Sequence, residues 1–331
     1  MPAATVLPMI AVVIPCYKVI DHILGVIAGI GPECAHIYVV DDCCPHHSGA
    51  WVQQHCHDPR VRVLVHETNQ GVGGAVISGY RAALADGCQI IIKLDGDGQM
   101  DPALLPAFAA PLIAGEADYC KGNRFYYLDS LRAMPGVRLF GNAVLSLLTK
   151  LSSGYWDVFD PTNGYTAIHA DVLRLLPLDK LSRRYFFETD MLFRLNIVRA
   201  VVVDVPMHAR YGDEVSNLRI SRIIGEFLWK HLRNFGKRVV YNYYLRDMSL
   251  ASLQLPIGVA LLLFSLLFGG SHWLQSWQSG VPAPVGTVML AALSLLIGIQ
   301  FILAFLAQDI ASVPRRVLQR RIAPATPPAG R

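Results

Sequence analysis

Residues 61–99 read VRVLVHETNQGVGGAVISGYRAALADGCQIIIKLDGDGQ, and this stretch decides the fold. A strand-like apolar run, Arg62 to Val65, leads through a glycine-rich turn into a helix-like segment, Ala75 to Ala85, with Gly87 in a C-capping position. A second apolar run, Ile90 to Leu94, follows and ends in two aspartates. A strand, a helix and a strand in this order indicate one unit of a parallel sheet.

The same alternation extends toward the N-terminus. Apolar runs rich in Val and Ile lie at Ile10 to Ile14 and Ile37 to Val40, and helix-like segments lie at Asp21 to Ile30 and Gly49 to Cys56. Strands separated by helices predict an α/β domain with a mainly parallel sheet covered on both faces. Ligands of such sheets bind beyond the carboxyl ends of the strands, so we expect the site there.

Acidic residues follow two of these predicted strands. Asp41 and Asp42 come after the second run, and Asp95 and Asp97 come after the fourth, in a motif that ends at Gln99. Two carboxylates one residue apart can share Mg²⁺ or Mn²⁺, which prefer oxygen ligands and also bind a substrate diphosphate. A turn or a helix cap is the alternative, and the position at the end of a buried strand favours the metal site.

Six short motifs, taken in order, resemble those of one family. They are Ile14-Pro15-Cys16-Tyr17, Val39-Val40-Asp41-Asp42, Asn69-Gln70-Gly71-Val72-Gly73, Asp95-Gly96-Asp97-Gly98-Gln99, Asp160-Pro161-Thr162-Asn163-Gly164-Tyr165 and Phe187-Glu188-Thr189-Asp190. Together they are similar to the family 2 glycosyltransferases of the GT-A fold. Within that family they most resemble the polyprenyl-phosphate glycosyltransferases, the dolichol-phosphate mannose synthase-like group, whose members with two C-terminal membrane spans match this layout.

The resemblance implies roles at the matching positions. The residues that would bind the nucleotide-sugar are Pro15, Tyr17, Asp41, Asp42, Gly71 and Asp95. The metal ion, Mg²⁺ or Mn²⁺, would be held by Asp95, Asp97 and Gln99. The implied catalytic residues are Asp97, Arg124, Glu188 and Asp190, the last two near the acceptor. The acceptor phosphate would be held by Arg210 and Ser216, although the intervening residues lengthen the family's usual spacing.

The end of the first predicted strand departs from the family's pattern. The family normally has Tyr-Asn-Glu there, with a glutamate that helps to read the nucleotide, and this chain has Tyr17-Lys18-Val19. A lysine cannot accept a hydrogen bond from a donor group of the base. The sequence therefore leaves both UDP-sugars and GDP-sugars open as donors.

The implied reaction is the inverting transfer of a single sugar from the nucleotide-sugar to polyprenyl phosphate at the cytosolic membrane face. A lipid phosphate is already anionic at neutral pH, so it needs positioning and no strong general base. The alternative acceptor is a hydroxyl of a lipid-linked sugar or glycolipid. That acceptor requires a carboxylate base, for which Asp190 is the candidate. A non-catalytic nucleotide-sugar-binding subunit is a third hypothesis, and the intact Asp-x-Asp motif argues against it.

Two uncharged stretches near the C-terminus predict membrane spans. Leu250 to Gly270 and Val285 to Ala307 are each long enough for a helix to cross about 30 Å of hydrocarbon. Basic residues precede the first stretch and follow the second, whereas the connecting loop, Ser271 to Pro284, has neither Lys nor Arg. By the positive-inside rule we expect the catalytic domain and both termini in the cytoplasm, as in a bacterial inner-membrane protein.

We therefore expect four parts in the chain. They are a cytosolic GT-A domain over 1–215, amphipathic interface helices over 216–247, a transmembrane hairpin over 248–310 and a basic, disordered tail over 311–331. The interface helices follow from Asn217 to Tyr244, where apolar residues recur at spacings of three and four among basic ones. A helix that packs on the catalytic domain is the alternative.

The composition agrees with a membrane protein and excludes a disordered one. The chain of 331 residues is 53% hydrophobic and only 16% charged, and its net charge of +4 is too small to indicate nucleic-acid binding. All seven cysteines precede residue 121, and their odd number favours reduced thiols over a disulfide framework. Cys43 to His47 and His55 to His57 have zinc-ligand types without a common spacing, so a solvated loop is the alternative. We also expect a homo-oligomer.

Overall fold

The computed structural model describes residues 8–127, 136–208 and 220–322. Seven strands form one sheet in the order β3-β2-β1-β4-β6-β5-β7. They are β1 (Ile10–Cys16), β2 (Cys34–Asp41), β3 (Val61–Val65), β4 (Ile90–Lys93), β5 (Tyr119–Asn123), β6 (Thr166–His169) and β7 (Val202–Pro206). The first four strands pair in parallel, β5 pairs in parallel with β7, and β6 is antiparallel to both of its neighbours. The predicted α/β class with a mainly parallel sheet is confirmed.

Helices connect the strands of the sheet, and one more helix follows the last strand. They are α1 (Ile20–Ala28), α2 (Ser48–His55), α3 (Val72–Ala85), α4 (Leu105–Ile113), α5 (Gly136–Ser153), α6 (Ala170–Arg174), α7 (Phe187–Ile197) and α8 (Ile220–Val240). The three helices predicted from the sequence are present as α1, α2 and α3. The last of them begins at Val72 instead of Ala75, directly after Gly71, whose φ of 84° suits a residue without a side chain.

The strand order changes direction between β1 and β4. The chain adds β2 and then β3 on one side of β1 and returns to place β4 on the other side. In open α/β sheets ligands bind at such a switch point, outside the carboxyl ends of the strands. Tyr17 follows β1 and Asp95 follows β4, so two of the predicted site motifs lie at this position.

The core lies on both faces of the central strands. Ala11, Val12, Val13 and Ile14 in β1 are all fully buried, which is why this strand reads as a continuous apolar run. Helix α3 packs closely on β1, because a Cβ at Gly79 would collide with the side chain of Val13. This close approach fixes the helix that connects β3 to β4.

The chain divides into two compact units. The sheet unit comprises Met1–Asn234 together with Pro314–Arg331, and the hairpin unit comprises Phe235–Val313. The first boundary therefore falls inside α8, later than the expected end of the catalytic domain at residue 215. The second boundary falls after residue 313, close to the expected end of the hairpin at residue 310.

The hairpin unit contains two helices that are long and apolar enough to cross a membrane. They are α9 (Leu250–Ser279) and α10 (Val285–Ala311), with mean hydropathies of 2.1 and 2.5 in their most apolar windows. Only 22% and 17% of those windows are buried, so most of their apolar side chains face outward. The helices approach closely at small residues, since a Cβ on Gly258 would lie 3.1 Å from the carbonyl oxygen of Gly298.

A buried polar cluster lies within the hairpin unit. Arg238, near the end of α8, donates to the two carboxylate oxygens of Asp309 at 2.6 and 2.9 Å. The hydroxyl of Tyr243 donates to the same carboxylate at 2.7 Å. Both charged side chains are 1% exposed, and the two-pronged geometry is the strong arrangement for a guanidinium and a carboxylate.

The C-terminal segment of the described chain differs from the expected disordered tail. Residues 314–322 belong to the sheet unit, and the backbone N–H groups of Leu318 and Gln319 donate to Asp118 at 2.7 and 2.8 Å. The side chain of Gln319 also donates to the carbonyl oxygens of Leu112 and Ala117. Asp118 is fully buried, so these bonds hold residues 318–319 against the unit. Residues 323–331 lie outside the described part of the chain.

Candidate active site

The Asp-x-Asp motif forms a turn directly after β4. Asp97 accepts a hydrogen bond from the backbone N–H of Gln99 at 3.0 Å, and Gly98 adopts a φ of 76°, which favours glycine. The side chain of Asp95 is partly exposed, and Asp97 and Gln99 are also partly exposed. The turn thus presents carboxylate and amide oxygens at the switch point of the sheet.

Lys93, the last residue of β4, lies fully buried behind this turn. Its ammonium donates to Oδ1 of Asp95 at 2.8 Å and to the carbonyl oxygen of Gly164 at 3.0 Å, and it lies 3.5 Å from Oε1 of Glu188. Burial lowers the pKa of Lys93, but the carboxylates of Asp95 and Glu188 outweigh it and hold this pKa above its ordinary value. The sequence analysis missed this residue, although one lysine in the run Ile90 to Leu94 was a visible signal.

The segment Asp160 to Tyr165 packs against Lys93 and Asp95. A Cβ on Gly164 would lie 2.6 Å from Oδ2 of Asp95 and closer still to Nζ of Lys93, so no other residue fits without movement. A second buried lysine, Lys121 in β5, donates to the carbonyl oxygen of Asn163. Burial lowers the pKa of Lys121 to about 8.

Arg124 and Asp160 form a two-pronged ion pair next to β5. Nε of Arg124 donates to Oδ2 of Asp160 at 2.8 Å, and its NH2 group donates to Oδ1 at 3.0 Å. Asp160 is fully buried and Arg124 is 27% exposed, so the carboxylate fixes the guanidinium from the protein side. The predicted catalytic arginine is therefore held in one orientation at the end of its strand.

The two acidic residues at the start of α7 have different surroundings. Glu188 is 13% exposed and contacts Lys93, which brings it to the Asp95 cluster. Asp190 is buried and directed elsewhere, because Oδ2 accepts from the backbone N–H of Ser182 at 2.9 Å and from Arg194 at 3.1 Å. Its other oxygen accepts from Asn234 at 3.2 Å. The structure thus brings Glu188 to the cluster and engages Asp190 in holding its own helix.

Asp41 and Asp42, expected to contact the nucleoside, are both buried. Asp41 accepts from the backbone N–H groups of Cys44 and Gly49 at 2.7 and 2.6 Å. Asp42 accepts from the backbone N–H groups of Gln70 and Gly71 at 2.8 and 2.7 Å, and from His66 at 2.8 Å. The two carboxylates therefore shape the loops after β2 and β3, and their direct contact with a nucleotide stays a prediction.

The remaining residues predicted to bind the nucleotide-sugar lie at the C-terminal end of β1 and directly before α3. Pro15 is inside β1, and Tyr17 follows it with an exposed ring. Gly71 approaches the loop before α7 closely, since a Cβ there would lie 2.6 Å from the carbonyl oxygen of Arg183. The acceptor-side residues Arg210 and Ser216 lie outside the described residues.

The oxygen atoms that the Asp-x-Asp turn offers as metal ligands fit a hard divalent cation. The turn offers only oxygen ligands, from Asp95, Asp97 and Gln99, at a partly exposed position. Within 8–127, 136–208 and 220–322, no group of three or more His, Cys, Asp or Glu side chains could hold a metal ion. A cation held by this pair of carboxylates would need further oxygen ligands, which a substrate diphosphate could supply.

The Cys and His residues between 43 and 57 form no such group. Cys44 is buried, and its sulfur accepts from the backbone N–H of Lys18 at 3.0 Å and contacts the hydroxyl of Ser48 at 3.1 Å. The ring of His55 stacks on Trp51, with ring centroids 3.7 Å apart. In the described part of the chain these residues have the contacts of a loop and a helix start.

Comparison with known proteins by sequence shows the family of this chain. The family model described as "Glycosyl transferase family 2" matches residues 11–176. The undecaprenyl-phosphate mannosyltransferase of Micrococcus luteus is 33% identical over 200 residues, which cover 59% of this chain and 81% of that protein. The polyprenol monophosphomannose synthase of Mycolicibacterium smegmatis is 29% identical over 201 residues, which cover 59% and 75%.

Solved structures show the same fold. The glucosyl-3-phosphoglycerate synthase of Mycobacterium tuberculosis, in complex with Mn²⁺, UDP and glucosyl-3-phosphoglycerate, superposes with a TM-score of 0.52 at 20% identity. The match covers 70% of this chain and 80% of that chain. The likeness identifies the sheet unit as a GT-A fold.

Proposed function

The chain belongs to glycosyl transferase family 2 and is a glycosyltransferase, and from this premise we propose that it transfers one sugar from a nucleotide-sugar to a polyprenyl phosphate, with inversion at the anomeric carbon. The observation that carries this proposal is the pair of carboxylates, Asp95 and Asp97, at the switch point of a chain that also has two membrane-length helices. The two mannosyl-transferring relatives act on the same class of lipid by their names.

The donor side of the reaction rests on the Asp-x-Asp turn. Asp95, Asp97 and Gln99 would hold Mg²⁺ or Mn²⁺, and a bound cation would neutralise the charge that develops on the leaving nucleoside diphosphate. Pro15, Tyr17 and the loops shaped by Asp41, Asp42 and Gly71 would surround the nucleotide. Both UDP-sugars and GDP-sugars remain candidate donors, because Lys18 and Val19 stand where the family has Asn and the nucleotide-reading Glu.

The acceptor side favours a phosphate over a hydroxyl. A hydroxyl acceptor requires a general base, and the candidate base Asp190 is buried and accepts from Ser182, Arg194 and Asn234. The carboxylate of Glu188 lies 3.5 Å from the ammonium of Lys93, and this ion pair already engages it. A phosphate monoester is already anionic and needs only cationic groups to position it, which Arg124 and Arg210 would supply.

Membrane attachment follows from the connectivity of the chain. It leaves the sheet unit after Asn234, passes through both membrane-length helices and returns to the same unit at Pro314. Two crossings would return the chain to its starting side, and the basic flanks support a cytoplasmic location of that side by the positive-inside rule. We propose the cytosolic face of a bacterial inner membrane, with the protein as a homo-oligomer.

Exposed apolar side chains on the sheet unit support an attachment to the membrane surface. Helix α8 exposes Leu228, Trp229 and Leu232, and its polar positions include Lys230 and Arg233. An apolar face beside basic residues is typical of helices that lie among anionic headgroups. This pattern supports the expected interface helix, which the structure bounds at Ile220–Val240.

A transfer assay tests the proposed function. Purified full-length protein is incubated with undecaprenyl phosphate, Mg²⁺ or Mn²⁺ and radiolabelled UDP- and GDP-sugars, and label in the lipid fraction is counted. We expect one donor to label the lipid and Asp97→Ala to abolish labelling. Asp179→Ala is the matched control, since this carboxylate is 85% exposed and its ion pair among the described residues is with Arg81 on the surface.

The outcomes separate the acceptor classes. Lipid labelled by a donor, with a sugar phosphate linkage that mild acid releases, supports the phosphate acceptor. Donor binding or hydrolysis without labelled lipid phosphate would refute it, and label on a glycolipid hydroxyl would establish the alternative. A protein that binds a donor but neither transfers nor hydrolyses its sugar would support the non-catalytic nucleotide-sugar-binding hypothesis.

A further inference from the structure

Lys93 is a charged residue of the sheet interior to which the proposed reaction gives no role. It pairs with Val13 of β1 and Thr166 of β6 in the sheet register, so it lies between two strands with no edge to solvent. Its side chain is 1% exposed. Removing an ammonium from water is costly unless its protons are all bound, so a lysine here requires a set of acceptors.

The acceptors of Lys93 come from three separate segments. Oδ1 of Asp95 belongs to the Asp-x-Asp turn, the carbonyl oxygen of Gly164 belongs to the segment before β6, and Oε1 of Glu188 belongs to the start of α7. Each of these segments carries one of the motifs from which the family was first identified. One ammonium therefore joins three motifs that are distant in the sequence.

We propose that Lys93 is a positioning residue for the donor's metal ion, and that it acts by fixing the carboxylate of Asp95. The inference deepens the proposed metal-dependent transfer and rests on it. The ammonium binds Oδ1, which leaves Oδ2 as the oxygen that can face a cation. Hydrogen bonds to ligating carboxylates orient them and tune their basicity, and removing such partners typically costs 10–100-fold in metal affinity or activity.

Gly164 packs next to both the ammonium of Lys93 and the carboxylate of Asp95. A Cβ at this position would lie 2.6 Å from Oδ2 of Asp95 and 3.2 Å from the methyl carbon of Met100. The carboxylate is thus confined by the ammonium of Lys93 and the adjacent backbone of Gly164. A side chain held in this way loses little further freedom when it binds a cation.

The local charges also favour a divalent cation. Asp95, Asp97 and Glu188 bring three carboxylates to the region after β4 and the start of α7, and Lys93 supplies one positive charge in contact with two of them. The ammonium therefore relieves the repulsion between Asp95 and Glu188 without cancelling the negative charge of the site. A neutral side chain of the same length would leave these two carboxylates opposed.

Metal binding tests the inference directly. Full-length protein in detergent is titrated with Mn²⁺ in the presence of UDP, and separately GDP, and free Mn²⁺ is followed by electron paramagnetic resonance. The variants are Lys93→Met, Asp95→Asn and the double variant. We expect Lys93→Met to bind Mn²⁺ about 10–100-fold more weakly than wild type. We expect the double variant to bind no more than about two-fold more weakly than Asp95→Asn alone, because Lys93 acts through Asp95.

Lys121→Met is the matched control for the loss of a buried lysine. Lys121 is as buried as Lys93, and its ammonium donates to the carbonyl oxygen of Asn163. We expect the Mn²⁺ affinity of Lys121→Met to stay within about three-fold of wild type, because this variant keeps the hydrogen bond from Lys93 to Asp95. An equal loss in both lysine variants would overturn the inference, and so would independent, multiplying effects of Lys93→Met and Asp95→Asn.

A second variant keeps the test valid if Lys93→Met does not fold. Gly164→Ala retains the lysine and places a methyl group against Oδ2 of Asp95 and Nζ of Lys93. We expect Gly164→Ala to weaken Mn²⁺ binding by about ten-fold or more, because the added methyl group disturbs the hydrogen bond between Lys93 and the metal-binding carboxylate of Asp95. Unchanged Mn²⁺ binding in a folded Gly164→Ala protein would contradict the proposed confinement of the carboxylate.

Lipid labelling on the same preparations separates this inference from the proposed function. Wild type that binds Mn²⁺ with a nucleotide but labels no polyprenyl phosphate would refute the proposed acceptor and leave the role of Lys93 standing. Wild type that labels the lipid while Lys93→Met binds Mn²⁺ normally would overturn only the inference. Wild type that binds no Mn²⁺ with either nucleotide would overturn both the inference and the proposed cofactor.

Discussion

Replacing Asp118 by alanine is expected to release the C-terminal segment of the sheet unit. Asp118 is fully buried, and its carboxylate accepts from three backbone N–H groups, those of Val201 at 2.7 Å, Leu318 at 2.7 Å and Gln319 at 2.8 Å. Two of these donors belong to residues 314–322, which follow the second membrane-length helix. Alanine removes the shared acceptor of all three.

The size of the effect follows from these bonds. A buried donor that loses its acceptor costs roughly 1–3 kcal/mol, and bonds to a charged acceptor lie at the upper end. The N–H of Val201 stays inside the unit, whereas those of Leu318 and Gln319 can turn to water if the segment leaves. Releasing the segment therefore becomes easier by about 3 kcal/mol, which corresponds to roughly a 100-fold larger population of the released form.

Limited trypsin digestion measures this population. Arg320 and Arg321 lie in or next to the held segment, and cleavage there requires local opening. We expect Asp118→Ala to be cut roughly 100-fold faster than wild type at these residues. Asp171→Ala is the control, because that carboxylate is 29% exposed and pairs with Arg174 on the surface. Equal cleavage rates in Asp118→Ala and wild type would refute the reasoning.

Three further predictions concern the sheet unit. Burial lowers the pKa of His231 to about 4. Between pH 6.5 and 4 the imidazole is therefore protonated in the unfolded chain but neutral in the folded protein, so the free energy of unfolding falls as the pH drops through this range. His231→Gln should flatten this part of the profile by about 3 kcal/mol in denaturant unfolding, and identical profiles would contradict it. Arg124→Lys should lower the rate of lipid labelling at least about ten-fold, because a lysine cannot make the two-pronged contact with Asp160, and an unchanged rate would count against a role for this guanidinium. Asp190→Asn should destabilise the unit by about 2–3 kcal/mol in denaturant unfolding, because it leaves a largely buried guanidinium without its charge partner, and unchanged stability would contradict the contacts described.

The first half of the sheet was predictable because its strands are buried on both faces. Residues such as Val12 and Val13 in β1 and Ile91 in β4 have no solvent side, so their runs are continuously apolar and stand out from the helices between them. The same reasoning located the Asp-x-Asp turn, since the ends of parallel strands carry the ligand-binding residues. Family and fold therefore followed from short local patterns.

The second half was not predictable by the same pattern. Strand β5 reads Tyr-Cys-Lys-Gly-Asn, and its polar residues Lys121 and Asn123 are buried by partners distant in the sequence. Lys121 donates to Asn163 and Asn123 donates to Asp204, and neither partner is visible from periodicity. A prediction based on runs of apolar residues therefore takes such a strand for a loop, because its polar side chains are buried.

The roles of individual carboxylates depended on the same long-range contacts. Glu188 and Asp190 are two residues apart in one motif, yet one contacts Lys93 and the other contacts Arg194 and Ser182. A helix turns by about 200° over two residues, so the two side chains point in different directions. The motif identified the helix, and only the packing around it distinguished the two acids.

The return of residues 314–322 to the sheet unit has a consequence for biosynthesis. A ribosome completes the strands and helices of this unit before it makes α9 and α10, and it makes Leu318 and Gln319 only afterwards. Until then Asp118 has only one of its three backbone donors, that of Val201. Domains generally fold as units from the N-terminus during synthesis, but here the final contacts wait for the membrane helices to emerge. The sheet unit thus gains its last contacts only after both membrane-length helices have been synthesised.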